Sequence, residues 1–304
     1  MRFGFSVYPF SRYPDPDAIL ETVQMCEKLG FYSTSLGEHV IVPQANAATL
    51  DSLYYDNVAL AAMILARTTL LKVFFNVVVM PYHHPIQLAK SIATLDIASK
   101  GRVIMGAGVG WTEGEFQALG IPFRERGART DEYLRACKAL WTSDTPSFEG
   151  RFVSFRDVVF RPRPYTRPHP PIWIGGASPR TVQRAAALGD GFAPLGGPMS
   201  KLERLADETR ALLEQAGRDP AAFTFAHACD VGGTVSHHSR EAGGNDSLVL
   251  GPEPGRLLEQ VEAYRRAGYS HIALRFPQRE LPALHDAIRQ FAETVKLVPR
   301  AGAL

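Results

Sequence analysis

Eight short apolar runs, each followed by a stretch with helical spacing, recur along this chain and restrict its fold more than any other feature. The runs fall at residues 2–7, 32–36, 72–79, 102–107, 172–174, 191–194, 223–235 and 271–276. The amphipathic stretches fall at 15–29, 57–66, 85–99, 125–141, 178–188, 201–216, 254–267 and 281–295. Alternation of this kind puts parallel strands under covering helices. Eight such units in 304 residues fit one closed barrel better than a doubly wound sheet, which usually has about five or six strands before a second domain is needed. The expected fold is therefore α/β: a single (β/α)8 TIM-type barrel over residues 1–304, with loop insertions at the carboxyl-terminal face.

Two segments break the alternation. Residues 145–171 combine a hairpin around Glu149-Gly150 with a proline-rich connector, and are expected to be an insertion within the barrel. Residues 236–253, with paired glycines and many polar residues, are expected to form a mobile loop after the seventh strand. Adjacent His237 and His238 in that loop would point to different sides of an extended chain. No acidic or cysteine ligand is spaced to join them, so no metal site is expected.

Charge and composition exclude several classes of function. Lys plus Arg number 33 against 31 for Asp plus Glu, a formal net charge of +2 without any block of like charge. That balance gives no electrostatic grip on nucleic acid or on a membrane surface. The longest nearly apolar run, 73–80, is too short to span a bilayer and is interrupted by Asn76. The first ten residues lack the apolar core and cleavage site of a signal peptide, so a cytoplasmic location is expected. Cys26, Cys137 and Cys229 are widely spaced and odd in number, which suits buried small residues rather than disulfides or zinc ligands.

In such a barrel, chemistry sits just past the carboxyl ends of the strands. After the second strand come Glu38 and His39; a histidine exchanges protons near neutrality, and a neighbouring carboxylate could tune it or act beside it. After the fourth comes GAGVGWTEGEF, where Gly106, Gly108 and Gly110 permit close approach of a planar or anionic ligand and Trp111 offers an aromatic wall. The third glycine of a dinucleotide fingerprint would fall at 111, which is Trp, so that reading fails. After the fifth, Gly175-Gly176-Ala177-Ser178 leads into Pro179. A capping Ser178 beside free backbone N–H groups makes an anion cradle at a helix start, or simply an ordinary glycine-rich turn.

GEHVIVP, VVVMPYHHPIQLAKSIATLDIASKGRVIMGAGVGW, FRERGARTDEYLRACKALWT and PPIWIGGASPRTVQRAAALGDGF, in this order and spacing, resemble the bacterial-luciferase-like superfamily and within it the F420-dependent oxidoreductases. The resemblance implies a flavin-like ring at the carboxyl end of the barrel with its phosphate at Gly175, Gly176, Ala177 and Ser178, and Gly108, Val109 and Gly110 nearby. It makes His39 the residue beside the reactive ring face, with Glu38 where an Asp is common. It implies a non-proline cis peptide in the third strand, at Asn76-Val77 or next at Val77-Val78, backing the ring. Phe10, Tyr54, Tyr55 and Trp111 would line the substrate pocket, and a homodimer is the family's expectation.

Sugar-phosphate dehydrogenases of this group carry Glu at the position of Trp111, which argues against that activity here. FMN-using monooxygenases commonly place a flavin-contacting Tyr where this chain has Gly127. Hydride transfer between coenzyme F420 and a small organic substrate is the leading expectation. An FMN-dependent monooxygenase using molecular oxygen is the alternative, and a catalytically silent flavin-binding protein the third reading.

Overall fold

A computed structural model describes residues 1–232, 248–299 and 302. Eight parallel strands close into a barrel: β1 (Arg2–Ser6), β2 (Ser33–Leu36), β3 (Lys72–Phe75), β5 (Val103–Gly108), β8 (Ile172–Gly175), β9 (Gly191–Ala193), β10 (Thr224–Val231) and β12 (His271–Arg275). Each pairs with the next in that order, and β12 pairs with β1 to close the ring. This is the TIM-type architecture, and the eight expected apolar runs supply its staves.

Helices α1 (Pro16–Lys28), α2 (Asn57–Arg67), α3 (Pro85–Ala98), α5 (Arg126–Thr142), α6 (Pro179–Leu188), α7 (Met199–Gln215), α8 (Pro254–Arg266) and α9 (Leu281–Thr294) follow the strands. Their starts follow local chemistry. Asp15 and Asp56 accept backbone N–H bonds from Ala18 and Ala59, closing orphan donors at the first turns of α1 and α2. The outward faces of the strands and the inward faces of the helices form one large apolar core that includes the fully buried Phe5, Ile19, Phe75, Ile92, Trp141 and Leu274.

Inside the barrel, a second cluster of Phe74, Ile104, Trp173, Ala193 and Ala226 fills the lumen. The ring of His271 packs against Trp173, Phe74 and Tyr32 at 5.1, 5.8 and 5.9 Å. A side chain at Gly4 would collide with Ser33 Oγ at 2.4 Å, so the bulky rings are accommodated by a small residue facing them. The lumen is a packed core and not a channel.

The structure departs from the sequence reading in three places. The third run is two pieces, β3 and β4 (Val78–Val79), separated by a cis peptide at Asn76-Val77; β4 pairs with Ala107 and Gly108 of β5. A short helix α4 (Glu113–Ala118), not among the eight helical stretches expected, occupies the loop after β5. The hairpin, by contrast, is present where the sequence puts it, as β6 (Phe148–Glu149) and β7 (Ser154–Phe155). Of the segment expected to be a mobile loop, 236–247 lies outside the described residues, as do the last positions of the seventh apolar run. Its described end instead contains β11 (Val249–Leu250), paired in parallel with Asp230 and Val231.

Loops are fastened by buried glutamates. Glu27 of α1 accepts the backbone N–H groups of Thr69, Leu70 and Leu71 at 2.6–2.9 Å, fixing the entry to β3. Glu132 of α5 does the same for Arg151, Phe152 and Val153, which ties the hairpin to the barrel. Hydrogen bonds to a carboxylate contribute about 1.5–3 kcal/mol each, enough to offset the cost of burying the charge when several converge.

Burial holds His271 and His227 far below an ordinary histidine, at about 3. Both are neutral in the folded state, while the unfolded chain takes up a proton at each below about 6.5. Their contribution is therefore fully present above pH 6.5 and erodes as pH falls toward 3, by about 1.4 kcal/mol per pH unit per histidine. In His271→Gln, which keeps a partner for the Ser33 hydroxyl, urea denaturation across pH 4–6.5 should show stability depending on pH by about one proton less than in the wild type.

Candidate active site

The carboxyl ends of β2, β3, β5 and β8 converge on one side of the barrel mouth. At its centre stands Glu115, the third residue of α4 and fully buried. One carboxylate oxygen accepts the backbone N–H groups of Val40 and Ile41 at 2.8 and 3.3 Å. The other accepts from His39 Nδ1 at 2.7 Å and from the Tyr82 hydroxyl at 3.2 Å. Four donors thus meet a group that can only accept when ionised. The Nδ1 nitrogen of His39 accordingly carries a proton, and Nε2 has no partner among the described residues.

Around this histidine are aromatic rings. Tyr54 stands edge-on with its ring centre 4.8 Å away and Trp111 edge-on at 5.8 Å. Trp111 is 42% exposed, so it flanks the mouth as an open wall. Tyr55 is partly buried and packs on Phe10 at 5.6 Å, as does Tyr54. Phe10 is only 1% exposed: it supports these two tyrosines from behind and does not line an open pocket as expected. Burial raises the Tyr54 hydroxyl well above the normal tyrosine range, which keeps it a neutral donor.

Glu38 does not serve His39. Its carboxylate turns the other way, accepting the Val79 backbone N–H at 2.6 Å and bonding His83 Nε2 at 2.8 Å. Adjacent residues leaving a strand face opposite sides, so the carboxylate next to His39 in sequence is not its neighbour in space. Burial disfavours a charged His83, but the hydrogen bond and charge of Glu38, with Asp56, prevail and raise its pKa. The Glu38–His83 pair anchors β4 while the Glu115–His39 pair holds the loop after β2.

The glycines at the strand ends have a packing role that sequence alone did not reveal. Val77, just past the cis peptide, projects between β5 and β8. A side chain on Gly108 would meet Val77 Cγ2 at 2.4 Å, and one on Gly175 would meet Val77 Cγ1 at 2.5 Å. These two glycines accommodate Val77 before they can accommodate any ligand. Gly176 adopts φ +124°, a conformation open to glycine, which turns the chain into Ala177 and Ser178. Ser178 Oγ accepts the N–H of Thr181 at 3.2 Å, Pro179 has no N–H, and the N–H of Arg180 is free among the described residues. A donor-rich helix start of this kind suits a phosphate.

Two functional candidates escaped the sequence reading. Glu115 is one. The other is an ion pair between the neighbouring strands β10 and β12, where Arg275 Nε donates to Asp230 Oδ1 at 2.8 Å with both side chains largely buried; both residues lie in runs that the sequence marks only as strands. Among the described residues no group of three His, Cys, Asp or Glu side chains is placed to hold a metal ion, and no helix is long and apolar enough to cross a membrane.

The fold and sequence can be placed among known proteins. The chain is 35% identical to the FMNH(2)-dependent dimethylsulfone monooxygenase of Pseudomonas putida over 160 residues, 52% of this chain and 44% of that protein. It therefore spans less than half of that relative's length. An uncharacterized protein of Mycobacterium tuberculosis (strain ATCC 25618 / H37Rv) is 34% identical over 190 residues, 58% of this chain and 66% of that one. Among solved structures, an F420-dependent secondary alcohol dehydrogenase in complex with an F420-acetone adduct superimposes with a TM-score of 0.80 at 18% identity, covering 98% of this chain and 99% of the other. Long-chain alkane monooxygenase superimposes with a TM-score of 0.81 at 16% identity, covering 99% and 92%. At such identities these structures establish the shared barrel. Residues 1–242 match the luciferase-like monooxygenase family, and the chain belongs to it.

Proposed function

We propose that this protein transfers a hydride between the deazaflavin coenzyme F420 and a small organic substrate, with His39 handling the accompanying proton. The observation that carries the reading is the His39–Glu115 pair: a buried carboxylate fixes one ring nitrogen and leaves the other to the mouth of the barrel. F420 supplies the hydride-donating or hydride-accepting ring when bound.

The residues suit such a group. Asn76 and Val77 would back the ring, with Gly108, Val109 and Gly110 along its edge. Gly175, Gly176, Ala177 and Ser178 would receive the phosphate, where the helix start offers Arg180 N–H and the Ser178 hydroxyl. His39 Nε2 would give a proton to, or take one from, the substrate oxygen or nitrogen, while Glu115 stabilises the charge that appears on the imidazole. Tyr54 and Trp111 would cover the substrate and limit water around the reacting atoms. Gly127 favours F420 over FMN, since it stands where FMN-using members commonly bring a flavin-contacting tyrosine.

The second reading keeps the site but uses reduced FMN and molecular oxygen. It is favoured by the dimethylsulfone monooxygenase relative, whose name records FMNH(2) dependence.

Titrating the purified protein with F420 and with FMN, followed by ring fluorescence, separates the two. Saturable F420 binding with weaker FMN binding, and turnover without oxygen, is expected; tight FMN binding with no F420 response overturns the reading. His39→Ala should lower turnover by about 100-fold with cofactor affinity within about twofold, and unchanged turnover would remove His39 from the chemistry. Glu115→Gln replaces an acceptor with an amide that can satisfy only some of the four donors. It should lower kcat by about 10-fold or more and displace the pH profile of kcat, a displacement that loosening of the loop alone would not produce.

A further inference from the structure

A cavity of about 560 Å3 runs along the outside of the barrel between α5 and α6, beginning at Val109 and Ser178. Five arginines line it, Arg124, Arg126, Arg135, Arg180 and Arg184, against a single acid, Asp131. Over the whole chain basic and acidic residues are nearly matched, 33 to 31, so this five-to-one imbalance is local. Asp131 is already engaged, since Arg184 Nε donates to it at 2.5 Å. Arg126 stacks on Phe123 at 3.8 Å, and its Nε is buried without a partner. Arg124, Arg135 and Arg180 are exposed and have no carboxylate partner among the described residues. Several guanidinium groups held close together without counter-charges repel one another, and an anion between them relieves that repulsion.

The groove also has a direction. From Arg126 to Arg135 is nine residues of helix, about 13 Å at 1.5 Å per residue. The groove therefore continues well past the helix start where a ring phosphate would sit. FMN ends at its phosphate. F420 continues beyond its own phosphate into a lactyl group and a chain of glutamates, a flexible row of carboxylates.

We infer that the α5–α6 groove binds a chain of carboxylates carried on the cofactor beyond its phosphate, with Arg180 and Arg124 at the near end and Arg135 at the far end. The inference rests on the proposed use of F420 and extends it from the ring to the tail. Binding through such a site is electrostatic, so it weakens steeply with salt, and the guanidinium forks match carboxylates in pairs. It selects for the tailed cofactor over any ring that stops at a phosphate or at the sugar alcohol.

The test measures dissociation constants by ring fluorescence for F420 with several glutamates, for the same deazaflavin without phosphate or tail, and for FMN. Wild type is compared with Arg135→Glu and with the double variant R124E/R135E. Both positions are exposed, and thermal melts confirm that the variants fold. F420 affinity should fall about 10-fold in Arg135→Glu and further in the double variant, while affinity for the tail-less deazaflavin and for FMN stays within about twofold. Raising the salt from about 50 to 500 mM should narrow the difference between wild type and variants. If F420 binds the wild type tightly and the variants bind it equally well, the groove inference is wrong and the F420 reading stands. An equal loss for all three ligands also overturns it, because the arginines would then act on the ring site. If F420 does not bind the wild type at all, both readings fall together.

Discussion

The arrangement at the barrel mouth depends on one buried carboxylate. Glu115 is fully enclosed, and its charge is tolerable only because four donors from two separate places converge on it: two backbone amides and the imidazole after β2, and the phenol of Tyr82 after β4. This makes the contact mutual. Without the loop the buried carboxylate keeps only the Tyr82 hydroxyl, and without the carboxylate the loop loses its anchor and His39 its orientation. Glu27 and Glu132 repeat the device at the entry to β3 and at the hairpin, so loop conformation in this barrel is repeatedly set by a helix-borne acid reaching across to main-chain N–H groups.

The barrel was legible in the sequence because it is written in periodicity. Every one of the eight apolar runs overlaps a barrel strand, and Asp15, Asp56 and Ser178 sit where capping chemistry puts helix starts. The site was legible only in part. His39 stands out as a histidine at a strand end, but its partner lies 76 residues away. Thr112 to Glu115 even fits a capping box, in which the acid would fold back on its own helix. In the structure Thr112 makes no side-chain cap and Glu115 reaches the β2 loop instead. Sequence adjacency pointed to Glu38, and the alternation of side chains along an extended segment is what turned that residue away.

Glycines misled in a similar manner. Gly108 and Gly175 look like space left for a ligand, yet the nearest occupant of that space is Val77. The arginines around α5 and α6 were hidden for another reason. They are scattered over about 60 positions and become neighbours only when the two helices lie side by side, so a near-neutral composition concealed a strongly basic groove.

Val77 sits wedged between two other strands, and its shape is thereby tied to residues 108 and 175. Neither glycine can drift alone, because any methyl gained on either one collides with the valine, whereas a shorter side chain at 77 removes the atoms they would strike. The order of permissible change is therefore fixed. Descendants of this barrel that acquire a differently shaped floor must trim position 77 before anything larger than glycine can take hold at the other two, so the history of this pocket runs through a transiently emptier one.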